Sequence, residues 1–262
     1  MDFATIRGVV MDMDGVLWRG DEALPGLRAF FDLLRTKKLP FMLATNNSFK
    51  TPADYVRKLE LMGVAGVVEA NVVTSASATA AYMRQHYAPG TKVYVLGGQG
   101  LREALTAAGF ALVDEDAQVV ASGIDPLLTY EKLKRAALQI RAGADFIGTN
   151  PDKTFPTPEG LTPGAGSILA ALVAATEREP LVIGKPGTPM FEAALAQMGT
   201  QASTTLMIGD RLDTDILGGQ RAGLRTALVL TGVSERADVE RLDIVPDAVF
   251  EDLQNITALW LA

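Results

Sequence analysis

Asp12 and Asp14 stand one residue apart at the end of an apolar run, within Gly8-Val9-Val10-Met11-Asp12-Met13-Asp14-Gly15-Val16-Leu17-Trp18. Val9 and Val10, with Ile6 before them, read as a short buried strand. Residues i and i+2 of a strand point to the same side. Both carboxylates can therefore face one site where the strand frays into a loop. In an open parallel sheet, the carboxyl ends of the strands are where ligands bind. Two carboxylates there repel unless a cation or a shared proton relieves them. A hard divalent cation such as Mg²⁺ suits oxygen ligands of this kind. The plain alternative is a strand that closes in an acidic turn, where Asp and Gly are common.

Three further strand ends carry polar residues. Pro40–Ala44 reads as a strand and runs into Thr45-Asn46-Asn47-Ser48. Those side chains either cap the helix that begins near Thr51-Pro52 or cradle a phosphate with hydroxyl, amide and backbone N–H donors. Pro180–Gly184 ends in Lys185, held between Gly184 and Pro186. Thr205–Gly209 ends in Asp210-Arg211-Leu212-Asp213-Thr214-Asp215, three acids in six residues.

Composition narrows the chemistry. Cysteine is absent and His86 is the single histidine. That excludes a thiolate nucleophile, a disulfide framework and any histidine-based triad or His-rich metal site. His86 falls near the C-terminal end of an alanine-rich helix, Ala76–His86, where the helix dipole favours a cation, so it reads as surface structure. The net charge of −7 offers no electrostatic footprint for nucleic acid. An anionic ligand would need local positive charge from Lys, Arg, a helix N-terminus or a metal. No apolar stretch reaches the ~18–20 residues of a membrane span, and Met1–Thr5 lacks a secretory pattern. The expected location is the cytoplasm, and the expected assembly includes no membrane.

The elements that must position these residues alternate along the 262-residue chain, 48% of it hydrophobic. Helical spacing over 27–37 follows the first strand. Asn71–Ser75, Lys92–Leu96, Val119–Gly123 and Asp145–Asn150 read as strands, with helices over 101–108, 130–142, 167–176 and 190–198. Thr226–Leu230 and Ala248–Phe250 complete a sheet. Repeated strand–helix units imply a mainly parallel α/β fold. Gly97-Gly98-Gln99-Gly100 superficially suggests a dinucleotide turn, and with it a nucleotide-dependent oxidoreductase. Glu103 stands where the third glycine should be and would repel a pyrophosphate, so a simple strand-to-helix turn is the better reading. Pro151–Gly166 holds four of the 13 prolines and reads as a long loop of the kind that often serves function.

Taken in order, Asp12-x-Asp14-Gly15, Thr45, Lys185 and Gly209-Asp210-x-x-x-x-Asp215 resemble the four motifs of the haloacid dehalogenase superfamily. The 138 positions between Asn47 and Lys185 exceed one strand–helix unit by far. Together with Gly148-Thr149-Asn150-Pro151-Asp152 and Ile183-Gly184-Lys185-Pro186, they resemble the branch with a large cap between the second and third motifs. That branch includes para-nitrophenyl phosphatase-like, phosphoglycolate and pyridoxal-phosphate phosphatases. The resemblance implies a doubly wound, mainly parallel, Rossmann-like core over 1–75 and 179–262, with an inserted α/β cap over 76–178.

It also implies a Mg²⁺-dependent phosphatase acting through an aspartyl-phosphate. Asp12 would be the nucleophile, Asp14 the general acid and then base, and Lys185 the charge screen. Asp12, the Asp14 carbonyl and Asp210 would hold the metal, with Asp215 orienting the site behind them. Thr45, Asn46, Asn47 and the N–H groups near Gly15 would hold the phosphoryl oxygens. Lys153 and Phe155, in the loop 152–156, would choose the leaving group. The expected partner is a small phosphorylated metabolite, with a second copy of the chain as the one protein partner in view. Asp14 argues against a dehalogenase and against the superfamily's ATPases. A non-catalytic phosphometabolite sensor would be expected to lack a catalytic residue, and none is lacking.

Overall fold

The computed structural model describes residues 1–157 and 159–261, and the chain divides into two compact units. The first comprises Met1–Thr45, Pro52–Val73 and Pro186–Ala262, and the second Asn46–Thr51 and Thr74–Lys185. Leu181–Val182 pairs in parallel with Ile147–Gly148, so residues 181–185, expected in the core, lie with the second unit.

The first unit is built on a six-stranded sheet. Its order is Ala248–Phe250, Arg225–Val229, Thr205–Gly209, Gly8–Met11, Phe41–Thr45 and Val72–Thr74. Gly8–Met11 pairs in parallel with both of its neighbours, and the pairs on the Ala248 side are parallel as well. Read from the other edge, the strands come third, second, first, fourth, fifth, sixth along the chain, the doubly wound order. The order reverses between Gly8–Met11 and Thr205–Gly209. Every residue of those two strands is buried, as parallel strands covered on both faces must be. The helix Leu27–Thr36 turns Leu27, Phe30, Phe31 and Leu34 inward at helical spacing, and they join Val9, Met11 and Trp260 in one core.

The second unit has its own five-stranded sheet: Leu181–Val182, Asp145–Gly148, Val119–Ser122, Lys92–Leu96 and Ala111–Leu112. The pairings within it are parallel. Tyr94, Leu96, Val120, Ile140, Phe146 and Leu172 form a separate core. The turn at Gly97–Gly100 leads into the helix Gln99–Ala107. A Cβ on Gly100 would lie 2.6 Å from the Ser48 carbonyl, so that glycine answers a close chain approach rather than a dinucleotide.

The expected long loop after Asn150 is largely a hairpin. Thr154–Thr157 pairs antiparallel with Gly160–Pro163. Pro158, in the middle of that expected loop, lies outside the described residues. Among the described residues, no helix is long and apolar enough to cross a membrane.

Candidate active site

In the first unit, the chemistry gathers where the strand order reverses. The Asp12 N–H still donates to Ile208 O at 2.9 Å, so Asp12 extends the central strand by one residue. Asp210 follows the adjacent strand directly. Asp12, Asp210 and Asp215 each offer a carboxylate oxygen, and the three lie within 4.8 Å of one another. Asp210 and Asp215 are buried. An all-oxygen set of this kind suits a hard divalent cation.

The backbone fixes these carboxylates. Asp210 Oδ2 accepts from Val233 N at 2.8 Å, and Asp210 O accepts from Ser234 N at 3.0 Å. The Thr231 hydroxyl donates to Gly15 O at 2.6 Å and ties the same loop to the first motif. Gly15 has φ +87°, and a Cβ there would come within 2.5 Å of Asp210 Oδ2. Gly15 is therefore required twice, by its left-handed backbone and by the carboxylate packed against it. Asp215 Oδ2 accepts from the N–H groups of Asp210 and Arg211, at 3.2 and 3.1 Å. Leu212–Ile216 forms a π-helical turn, a departure frequent at functional sites. Asp213 faces outward and pairs with Arg211 at 3.0 Å.

The Asp14 carboxylate is not in this cluster. Its Oδ1 accepts from the Trp18 indole N–H at 2.7 Å. Tyr55 lies near both motif carboxylates. Burial first, and then the charges of Asp14 and Asp12, hold its hydroxyl well above the usual tyrosine range, so it stays neutral. Neither Trp18 nor Tyr55 was assigned a role from sequence. Both sit at positions that pattern alone reads as core. Thr45 is buried at the end of its strand.

In the second unit, Lys185 is buried, and its backbone is gripped by one side chain. Lys185 N donates to Asn46 Oδ1 at 2.8 Å, and Asn46 Nδ2 donates to Lys185 O at 2.9 Å. The side-chain amide of Asn46, an expected phosphate donor, thus engages the lysine's backbone as a neighbouring strand would. Ser75 Oγ and Asn150 Nδ2 both donate to Asn46 O, at 2.7 and 2.6 Å. Asn150 Oδ1 in turn accepts from Asp152 N at 3.1 Å. Asn47 Oδ1 accepts from Phe49 N at 2.8 Å, the turn that small amide residues build.

Lys153 is exposed and Phe155 half-buried. Phe155 helps to wall a cavity of about 510 Å³ with Phe49, Ile124, Leu128 and Ile168, and Asp125 and Glu159 add carboxylates to it. His86 is exposed and stacks on Tyr82 at 3.9 Å, in keeping with its surface reading.

Comparison with known proteins agrees with this geometry. Residues 9–111 match the family model described as haloacid dehalogenase-like hydrolase, and residues 182–256 match a second, HAD-hydrolase-like model. An acid sugar phosphatase of Staphylococcus aureus is 41% identical over 253 residues, covering 96% of this chain and 97% of its own. A 4-nitrophenylphosphatase from Thermotoga maritima superposes with a TM-score of 0.92 at 38% identity, over 98% of both chains. A hypothetical protein from Pyrococcus horikoshii gives 0.90 at 44% identity, over 97% of this chain and 99% of its own.

Asn46→Ala should strip two buried backbone groups of Lys185 of their partner. Each such group costs about 1–3 kcal/mol when left unsatisfied. Urea unfolding monitored by circular dichroism should show a loss of about 2–6 kcal/mol for the two groups together. A loss near zero would mean that the Lys185 segment finds other partners.

Proposed function

The chain belongs to the haloacid dehalogenase-like hydrolases and is a phosphomonoesterase of that family, and from that premise we propose how its residues divide the reaction. The reading is carried by one observation: the oxygens of Asp12, Asp210 and Asp215 converge to within 4.8 Å at the reversal of strand order. Asp12 is the nucleophile. A carboxylate is a weak one, and fixed in-line geometry compensates for that. As the Asp12 oxygen bonds to phosphorus, the bond to the ester oxygen breaks. Asp14 gives its proton to that departing oxygen, and the alcohol leaves. The Asp14 carboxylate then takes a proton from water, which attacks the aspartyl-phosphate and frees inorganic phosphate.

Mg²⁺ is the cation that fits an oxygen-only set. Asp12, Asp210 and the Asp14 carbonyl would hold it, with Asp215 placed beside them to orient the set. When bound, it would neutralise charge on the phosphoryl group. Thr45, Asn47 and the N–H groups near Gly15 hold phosphoryl oxygens, and Lys185 screens negative charge. The first unit is the catalytic core, and the second is a cap that determines the substrate.

The substrate class is a small phosphorylated metabolite, of which a sugar phosphate is the leading example. The curated relative's name supports that class. Every phosphomonoester presents the same phosphoryl group, so discrimination must come from the leaving group. Phe155 offers a ring for a flat or apolar portion, and Lys153 a cation for a second anionic group.

Three outcomes test this reading. EDTA should reduce phosphate release to background and added Mg²⁺ should restore it; full activity of metal-stripped protein would refute the metal requirement. Asp12→Asn should fold normally and lose turnover by more than about 10³-fold, as removal of a nucleophile does elsewhere. A folded variant that keeps a tenth of the wild-type rate would refute the assignment. Lys153→Ala combined with Phe155→Ala should reorder kcat/KM across a panel of sugar, nucleotide and cofactor phosphates. An unchanged ranking would remove the hairpin from substrate choice.

A further inference from the structure

We propose that Trp18 is a positioning residue for Asp14, holding one carboxylate oxygen through its indole N–H so that the other carries the proton to the leaving group. The proposal rests on the phosphomonoesterase reading and adds a residue to it. The bond is short, 2.7 Å from Trp18 Nε1 to Asp14 Oδ1.

A buried indole N–H normally finds an acceptor. The bond could therefore exist for the tryptophan's sake alone. The distribution of constraint argues otherwise. Trp18 is 0% exposed and belongs to the main core. Tyr55 stacks along its ring at 6.3 Å with planes 14° apart. Lys58 Nζ sits 4.6 Å from the ring centroid and is itself tied to Gly20 O. The Trp18 backbone is fixed as well, accepting from Gly15 N at 2.7 Å and donating to Met13 O at 3.3 Å. Trp18 also pairs with Ala23 across a short antiparallel ribbon.

Asp14 is the opposite case. It is exposed, and its side chain stands outside the carboxylate cluster. A rigid donor meets a solvent-facing acceptor, so the orientation passes from Trp18 to Asp14 and not the reverse. An N–H on Oδ1 leaves Oδ2 as the oxygen able to bear the proton. In the first half-reaction that proton moves from Oδ2 to the ester oxygen as the P–O bond breaks and the Asp12–P bond forms. Without the indole N–H, the carboxyl group rotates about χ2, and both oxygens sample the solvent. A catalytic group held loosely loses much of its advantage.

The leaving group supplies the test. A sugar or alkyl alkoxide needs a proton to depart, whereas p-nitrophenolate departs well as an anion. Because kcat/KM reports only steps up to the first irreversible one, it isolates leaving-group departure from later hydrolysis of the aspartyl-phosphate. Wild-type protein and Trp18→Phe are assayed with Mg²⁺ on a sugar phosphate and on p-nitrophenyl phosphate.

Trp18→Phe should lower kcat/KM for the sugar phosphate by about 10- to 100-fold, part of what a general acid typically supplies, and that for p-nitrophenyl phosphate within about threefold. Equal losses on both substrates would make Trp18 a structural residue only, and no loss or a gain on the sugar phosphate would also overturn the proposal. Wild-type protein inactive on both substrates would refute the phosphomonoesterase reading instead.

Should Trp18→Phe fail to fold, the same assays are run on protein carrying β-(3-benzothienyl)alanine, which keeps the two-ring shape without the N–H. A Trp260→Phe background confines that replacement to position 18, since the chain has two tryptophans. The same selective loss is expected there, and its absence in that protein overturns the inference.

Discussion

Three carboxylates crowded to within 4.8 Å are the constraint on which the rest of the first unit depends. Like charges at that separation repel, and partial burial strengthens the repulsion. Fixed backbone donors meet part of this cost. Val233 N serves Asp210, and the N–H groups of Asp210 and Arg211 serve Asp215. Backbone donors cannot move away, so the carboxylates stay poised. Three carboxylates in one place offer an all-oxygen, negatively charged set, and that is the property that selects a divalent cation. Any cation bound to the folded chain alone also stabilises it by mass action.

The doubly wound order explains why the charge gathers where it does. Two chain directions diverge from the seam between Gly8–Met11 and Thr205–Gly209. The loops that leave those two strands turn to opposite sides and open a crevice at their carboxyl ends. Asp12 enters it as one further residue of its strand, and Asp210 as the first residue beyond its own. Neither carboxylate needs a long, adaptable loop to reach its place. The packing of Gly15 and Gly232 against Asp210 keeps that crevice narrow, because a Cβ at either position would collide with the carboxylate.

Much of this was legible in the sequence for a physical reason. A polar residue that ends an apolar strand has a bland explanation each time, but four such endings in this order share few. Asp12, Asp14, Lys185 and Asp210 stood out on that ground, as did the alternation that produces the sheets. What escaped was pairing at a distance. Nothing local shows that Lys185, 139 positions away, presents its backbone to the Asn46 amide. The π-helical turn Leu212–Ile216, which precedes the helix Leu217–Arg221, was equally silent, because the spacing of Asp213 and Asp215 gives no hint of it. The prolines of 151–166 suggested a loop. In a two-stranded ribbon, however, every strand is an edge, and a proline facing away from the pairing loses nothing.

Trp18 escaped for a different reason: packing and chemistry coincide in one side chain. Its two rings contribute burial, and hydrophobic pattern detects that half alone. Its N–H is invisible to pattern, yet once the rings are fixed its direction is fixed too. A surface hydroxyl or amide could also hydrogen-bond Asp14, but it would bring its own rotational freedom and hold the acid no more firmly than solvent does. An indole anchored between Tyr55 and Lys58 carries the rigidity of the core out to an exposed carboxylate. The strand end places the acid, and the core orients it. The acid can thus remain open to a departing alcohol without giving up its alignment.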